Sequence, residues 1–290
     1  MTLEKELDRL TFYFVKIFIG EGDYSILIIS INHMVHDFSR LIDSMLAGDK
    51  QSLARLITLA EDGDPRLIEI MEKIKPERGK SYCIGITGPP GSGKSTLIDR
   101  LVTRIRTDGF SVGIIVIDPS SLLGGGAILG DRVRMQDHYL DEGVFIRSMA
   151  TRGSHGGLAA GVKRAMLLLN AYGKEIVIIE TVGVGQNEMD IRNIANTVIL
   201  IMTPESGDEI QAMKSGVAEI ADIIIVNKAD RSGAERLAEQ LKGALIDGNS
   251  RSAPDIMTTQ AVRDIGTKEL YQAIKQNSKY PASPSKCNIQ

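Results

Sequence analysis

The stretch Gly88-Pro-Pro-Gly-Ser-Gly-Lys-Ser-Thr96 constrains this chain more than any other. It follows the apolar run "YCIGIT" and opens the run "LIDRLVTRI", which places it between a strand and a helix. In that setting the spelling G-x-x-x-x-G-K-[ST] reads as a phosphate loop. Gly91 and Gly93 let the backbone turn until several N–H groups face one anion. The helix starting near Lys94 adds the positive end of its dipole. Lys94 is expected to reach the β- and γ-phosphates of a nucleotide, the Ser95 hydroxyl to ligate Mg2+, and Thr96 to lie near the α-phosphate. Gly88, Pro89, Pro90, Gly91, Ser92 and Gly93 complete the expected nucleotide-contacting set. A glycine-rich turn that binds nothing is the bland alternative, and the strand and helix on either side disfavour it.

From Tyr82 onward, short runs rich in Ile and Val alternate with helical segments. The strand candidates are "YCIGIT", "SVGIIVI", "GVFIRSM", "EIVIIE", "TVILIM", "DIIIVN" and "DIMTT". Near-continuous apolar runs mark strands buried on both faces, hence a mostly parallel sheet flanked by helices. The fold expected is an α/β P-loop NTPase. Ahead of it, Asp37 to Ile74 reads as helices. Phe38, Leu41, Ile42, Met45 and Leu46 recur at helical spacing, and Leu53, Leu56, Ile57 and Ala60 do so again. Asp64-Pro65 is a start signal for a third helix. The polar link "KPERGK" sets a boundary, so residues 1–80 form a helical N-terminal extension and 81–276 the nucleotide domain. Residues 277–290, polar and proline-containing, are expected to be a poorly ordered tail.

The string "NKAD", Asn227 to Asp230, follows the strand candidate "DIIIV" and speaks to the base. A carboxylate at Asp230 accepts hydrogen bonds from the ring N–H and amino group of guanine. Adenine offers neither donor there and would leave a buried charge unpaired. Asn227 is expected to pair with the base, and the Lys228 stem to lie along its plane. The string alone is weak. Its place at the end of a later strand, 133 residues beyond Lys94 (227 − 94), makes it strong. GTP and GDP are therefore the expected nucleotides.

Asp118 ends "SVGIIVID" and Glu180 ends "EIVIIE". Ligands of open α/β sheets collect beyond the carboxyl ends of the strands. A carboxylate there holds Mg2+, directly or through water, or orients the attacking water. Gly183 offers a backbone N–H toward the γ-phosphate. Asp131, in "GDRVRM", is a third metal candidate, with a helix cap as its bland reading. Lys94, Asp118, Glu180 and Gly183 are the catalytic candidates. Ser95, Asp118, Asp131 and Glu180 are the metal candidates. The glycine run 122–131 reads as a mobile switch loop. Arg147 and Arg152 read as structural ion-pair partners rather than catalytic fingers, and His155 as a solvated side chain.

Composition excludes several other classes. A net charge of −3, from 34 Lys+Arg against 37 Asp+Glu, gives no general pull toward nucleic acid or anionic membrane. The two cysteines are Cys83 and Cys287, with no CxxC, so neither a disulfide framework nor a structural zinc site is expected. The apolar runs near the N-terminus are divided by Glu21, Gly22 and Asp23 and fall short of a spanning helix. A cytoplasmic location is expected.

Taken together, "GPPGSGKST", "DPSS…GGAILGDRVRM", "FIRSMATRGS.GGLA", "ETVGVGQ.E", "GDEIQAMKSG" and "NKAD" resemble the MeaB/ArgK/MMAA-type P-loop GTPases. The match runs over roughly residues 36–275. The resemblance implies a GTP-hydrolysing chaperone that assists cofactor loading and protection of an adenosylcobalamin-dependent acyl-CoA mutase, chiefly methylmalonyl-CoA mutase. It implies a first switch with Asp118 and Asp131, a second from Glu180 to Gln186, and a third over "ESGDEIQAMKSG". In the third, Asp208, Glu209 and Lys214 become partner-signalling candidates. Family members carry a C-terminal helical arm that dimerises. Here 16 residues follow Ile274 (290 − 274) and do not read as helices, which puts dimerisation by such an arm in doubt and leaves a homodimer as an open expectation. The first 30 residues, the Leu123-Gly124 pair and His155 also depart from the family pattern.

Three rival readings remain. A nickel-inserting metallochaperone GTPase would need a Cys/His cluster, which four scattered histidines and two remote cysteines do not supply. A nucleotide-dependent kinase of a transport protein would prefer ATP, against "NKAD". A membrane-targeting GTPase would have to use the apolar N-terminus.

Overall fold

The computed structural model describes residues 38–64, 81–118, 136–150, 157–181, 191–205, 220–246 and 254–284. The chain divides into two units, Met1–Thr58 and Leu59–Gln290. In the first, residues 38–46 are helical, and helix α1, Lys50–Asp62, follows, its residues 59–62 belonging to the second unit. Asp49 caps α1: its carboxylate accepts the Ser52 N–H at 2.8 Å and the Gln51 N–H at 3.3 Å. Leu53, Leu56 and Ile57 are fully buried, as their spacing predicts. The third helix expected after Asp64-Pro65 lies outside the described residues.

The second unit holds a sheet of seven parallel strands. They are β1 Tyr82–Thr87, β2 Val112–Asp118, β3 Val144–Ala150, β4 Ile176–Thr181, β5 Thr197–Met202, β6 Ile223–Val226 and β7 Asp255–Thr258. Their order is β3-β2-β4-β1-β5-β6-β7, so β1 lies at the centre between β4 and β5. All seven strand candidates are present, and every pairing is parallel. The described helices of this unit are α2 Lys94–Thr107, α3 Gln136–Tyr139, α4 Gly157–Tyr172, α5 Ala234–Ile246 and α6 Thr267–Lys275.

Alternation along each strand splits its side chains between two faces. Ile84, Ile86, Ile114, Val116, Ile178, Ile199 and Ile225 join Leu97, Leu101 and Ile105 of α2 and Leu270 and Ile274 of α6 in one core. Leu200, Met202, Ile224 and Val226 turn the other way and pack with Leu237 and Leu241 of α5. On that second face two glycines make room for side chains. A Cβ on Gly85 would stand 2.7 Å from the Ile191 side chain, and one on Gly113 would stand 3.0 Å from Leu169 of α4. Each fully buried Ile or Leu contributes on the order of 2 kcal/mol, so double-sided burial is what holds the central strands.

Residues 277–284, within the stretch expected to be a disordered tail, fold back on this core. Tyr280 is only 9% exposed and meets the rings of Tyr82, Phe110 and Tyr271 edge-on at 5.0, 5.7 and 6.2 Å. A polar composition concealed one aromatic anchor.

Candidate functional site

The carboxyl ends of β1, β4, β5, β6 and β7 bring the sequence motifs to one edge of the sheet. The loop between β1 and α2 depends on its glycines. Gly88 has φ +143° and Gly93 φ +89°. A Cβ on Gly88 would lie 2.2 Å from the Ile201 carbonyl oxygen, and one on Gly93 would lie 2.3 Å from Asn227 Nδ2. Only glycine satisfies both the dihedral and the space. Gly91 has φ +75° with open space around it, and with Pro90 it is exposed.

Lys94 opens α2 and is 5% exposed. Its ammonium donates to the carbonyls of Gly88 and Pro89, each at 2.8 Å, so the side chain folds back over its own loop. The next residue, Ser95, donates its hydroxyl to Glu180 Oε1 at 3.1 Å. Glu180 is 4% exposed near the end of β4. The structure thus joins two residues that lie 85 positions apart in the chain. Thr96 is half-buried on the first turn of α2.

Asp118 closes β2. Its neighbour Ile117 pairs in register with Thr181, the residue after Glu180, so the Asp118 backbone stands beside the end of β4. Gly183 and Asp131 lie outside the described residues, as do Gln186, Arg152, His155 and the 206–219 stretch holding Asp208, Glu209 and Lys214. Arg147 is paired with Glu61 at 3.5 Å, in keeping with a structural role.

Asn227 does more than its motif suggests. It is 3% exposed, and its Nδ2 donates to the Ser92 carbonyl at 2.8 Å. Its Oδ1 accepts from Thr259 Oγ1 at 3.0 Å and from Ala261 N–H at 3.1 Å. One side-chain amide therefore ties the phosphate loop to the segment after β7, with one N–H left over. Lys228 follows in the left-handed region, φ 58°, a conformation that costs a non-glycine residue about 1 kcal/mol. Its neighbours hold it there: Asn227 N–H donates to Met202 O at 2.8 Å, and Ala229 N–H to Thr259 O at 3.0 Å. Asp230 closes the loop and is exposed.

Two further groups stand beside these residues, Glu205, the first residue of the third-switch string, and a segment that no motif marked. Glu205, just past β5, pairs with Arg231 and lies 3.9 Å from Lys228 Nζ. The Arg231 guanidinium holds the Glu205 carboxyl below its ordinary value. The segment Thr259–Ala261 was missed because its only signal is position, directly beyond the last strand. Among the described residues, no three His, Cys, Asp or Glu side chains cluster as a metal site, and no helix is long and apolar enough to cross a membrane.

A family model described as "Methylmalonyl Co-A mutase-associated GTPase MeaB" matches residues 53–286. The chain belongs to the MeaB family of P-loop GTPases. A protein named as a GTPase in Pyrococcus abyssi is 48% identical to this MeaB-family chain over 245 residues, covering 83% of it and 76% of the relative. GTPase ArgK of Escherichia coli is 34% identical over 237 residues, covering 78% of this chain and 72% of ArgK. The crystal structure of a LAO/AO transport system kinase superposes with a TM-score of 0.65 at 28% identity, covering 82% of this chain and 73% of the other. As in these relatives, the MeaB-family chain is a GTPase, and GTP and GDP are its nucleotides.

Proposed function

We propose that this GTPase is a nucleotide-driven chaperone for an adenosylcobalamin-dependent acyl-CoA mutase, with methylmalonyl-CoA mutase the first candidate client. The family description, which couples the GTPase to that mutase, carries the reading. The convergence of Lys94, Ser95, Glu180 and Asn227 at one sheet edge supports a working nucleotide switch beneath it.

Lys94 pairs with the nucleotide's phosphates, and the loop N–H groups face the same anion. Asp230 reads the two guanine donors. Ser95 and Glu180 are the buried oxygen donors that suit a hard divalent cation, and Asp118 and Asp131 extend that set. Mg2+ held there would supply charge neutralisation of the phosphates. Glu180 and the Gly183 N–H are the groups assigned to the attacking water and the γ-phosphate.

A second reading, a kinase of a transport protein, draws on the name of the related crystal structure. GTP and ATP hydrolysis, measured with and without a methylmalonyl-CoA mutase, separates the two. GTP turnover that rises several-fold with the mutase supports the chaperone. Turnover of ATP with phosphate passed to a protein acceptor would overturn it.

A further inference from the structure

The loop 227–230 is braced by the segment 259–266, and that segment has a built shape. Gln260 N–H donates to Ile265 O at 3.0 Å, and Ile265 N–H returns a bond to Gln260 O at 3.3 Å, closing the segment on itself. Asp264 and Gly266 both take positive φ, 59° and 77°. A Cβ on Gly266 would lie 2.4 Å from the Thr258 carbonyl. The near end of the segment is fixed to the base loop through Asn227 and Ala229.

The far end is held by the helix that carries the phosphate-binding residues. Arg100 Nε donates to Ala261 O at 3.4 Å. Arg104 donates to Asp264 Oδ2 at 2.7 Å, and from Nε and a terminal nitrogen to Thr267 Oγ1 at 3.2 and 2.9 Å. Thr267, fully buried, donates in turn to Asp264 Oδ1. Arg104 lies ten residues beyond Lys94 (104 − 94) on α2, about 15 Å along the axis. One rigid helix therefore bears the phosphate contacts at its start and the clamp on 259–266 near its end. The bonds close a circuit from Ser92 through Asn227, Ala261 and Arg100 back to α2.

We propose that Arg104 is a positioning residue for guanine recognition. Through Asp264 and Thr267 it sets where the 259–266 segment stands against Asn227, and so the placement of the base loop relative to the phosphate loop. Arg104 itself does not touch the nucleotide. The proposal rests on the reading of Asn227–Asp230 as the guanine site. Hydrogen bonds weaken steeply once distance and angle drift, so a loosened segment costs base discrimination while the phosphate end, anchored on the same helix, keeps its geometry.

The test uses the full chain with Arg104→Gln, Asp264→Asn and Arg104→Lys. Asparagine tolerates the left-handed conformation at position 264, so Asp264→Asn remains informative if Arg104→Gln folds poorly. Binding of GTP, of ITP, which lacks the 2-amino group, and of inorganic tripolyphosphate is titrated for each. Arg104→Gln and Asp264→Asn are expected to bind GTP about fivefold more weakly and to discriminate less between GTP and ITP. Tripolyphosphate affinity should hold, KM for GTP should rise with little change in kcat, and Arg104→Lys should recover part of the loss. A lowered unfolding midpoint with wild-type GTP affinity and GTP/ITP ratio overturns the proposal, as does no change at all. Wild type and Asp230→Asn, run in parallel against ATP, separate the two levels. A wild type without guanine preference overturns the base-loop reading and this proposal with it. A preference lost in Asp230→Asn but untouched in Arg104→Gln overturns the proposal alone.

Discussion

The Lys94 ammonium is satisfied by two carbonyls of its own loop, which compensates the cost of burying a charge. A phosphate offers the same donors a stronger, charged acceptor. Lys94→Ala removes those donors. Hydrogen bonds to charged groups are worth roughly 1.5–3 kcal/mol, so GTP affinity is expected to fall about 100-fold, read by titration with a fluorescent GTP analogue. GTP affinity at the wild-type level would remove Lys94 from the phosphate site. Asn227 makes the complementary point. A motif string marks it as base-contacting, yet three of its bonds hold protein segments together. Its spelling was legible in the sequence, and the identity of its partners was not, because Ser92 and Thr259 are remote from it along the chain.

At the level of elements, the strands were readable because burial on both faces leaves little choice but Ile and Val. The runs written at 82–87 and 197–202 coincide with β1 and β5, and the others differ only at their ends. What periodicity could not show is which helix lies over which strand. Gly85 records one such contact: it interrupts an apolar strand where the Ile191 side chain descends. Gly85→Val should therefore overpack this face and cost about 2 kcal/mol, measured as a fall in the urea midpoint at unchanged slope. An unaltered midpoint would mean that Ile191 moves aside freely. The short segment 259–266 was hidden for another reason. Its shape comes from two left-handed residues and from Arg104 across the fold, neither of which leaves a periodic trace.

On the scale of the whole second unit, stability depends on the return of residues 277–284 to the amino-terminal edge of the sheet. Tyr280 meets Tyr82, Phe110 and Tyr271, and Asn277 donates to Asn196 O and Thr197 Oγ1, each at 3.2 Å. Tyr280→Ala is expected to cost about 3 kcal/mol, measured by chemical unfolding; a loss below a few tenths would mean that the aromatic cluster is dispensable. The same region shapes the acid response. Lys275 and then Tyr271 hydrogen-bond Asp108 and hold its carboxyl below the ordinary value, and Arg106 does the same for Asp141. A carboxyl depressed by folding adds stability above its unfolded value, near 3.9. That stability drains away as pH falls through the lower folded value. These groups should leave stability flat from neutrality to about pH 5 and reduce it below about pH 4. Asp141→Asn should make the acid decline shallower, and an identical decline would exclude that pair from it.

By itself the sequence determined the class of fold, the phosphate loop and the family, because each is written in contiguous residues: strand-length apolar runs, a glycine spelling between a strand and a helix, and short motifs in a set order. The tertiary structure alone decided that Ser95 meets Glu180, that Asn227 ties three segments together, that α2 clamps 259–266, and that a polar C-terminal stretch buries a tyrosine. Those pairings join residues tens to more than a hundred positions apart. Parallel crossover connections bring them to the same sheet edge or helix face, and no local pattern along the chain encodes which partners will meet there.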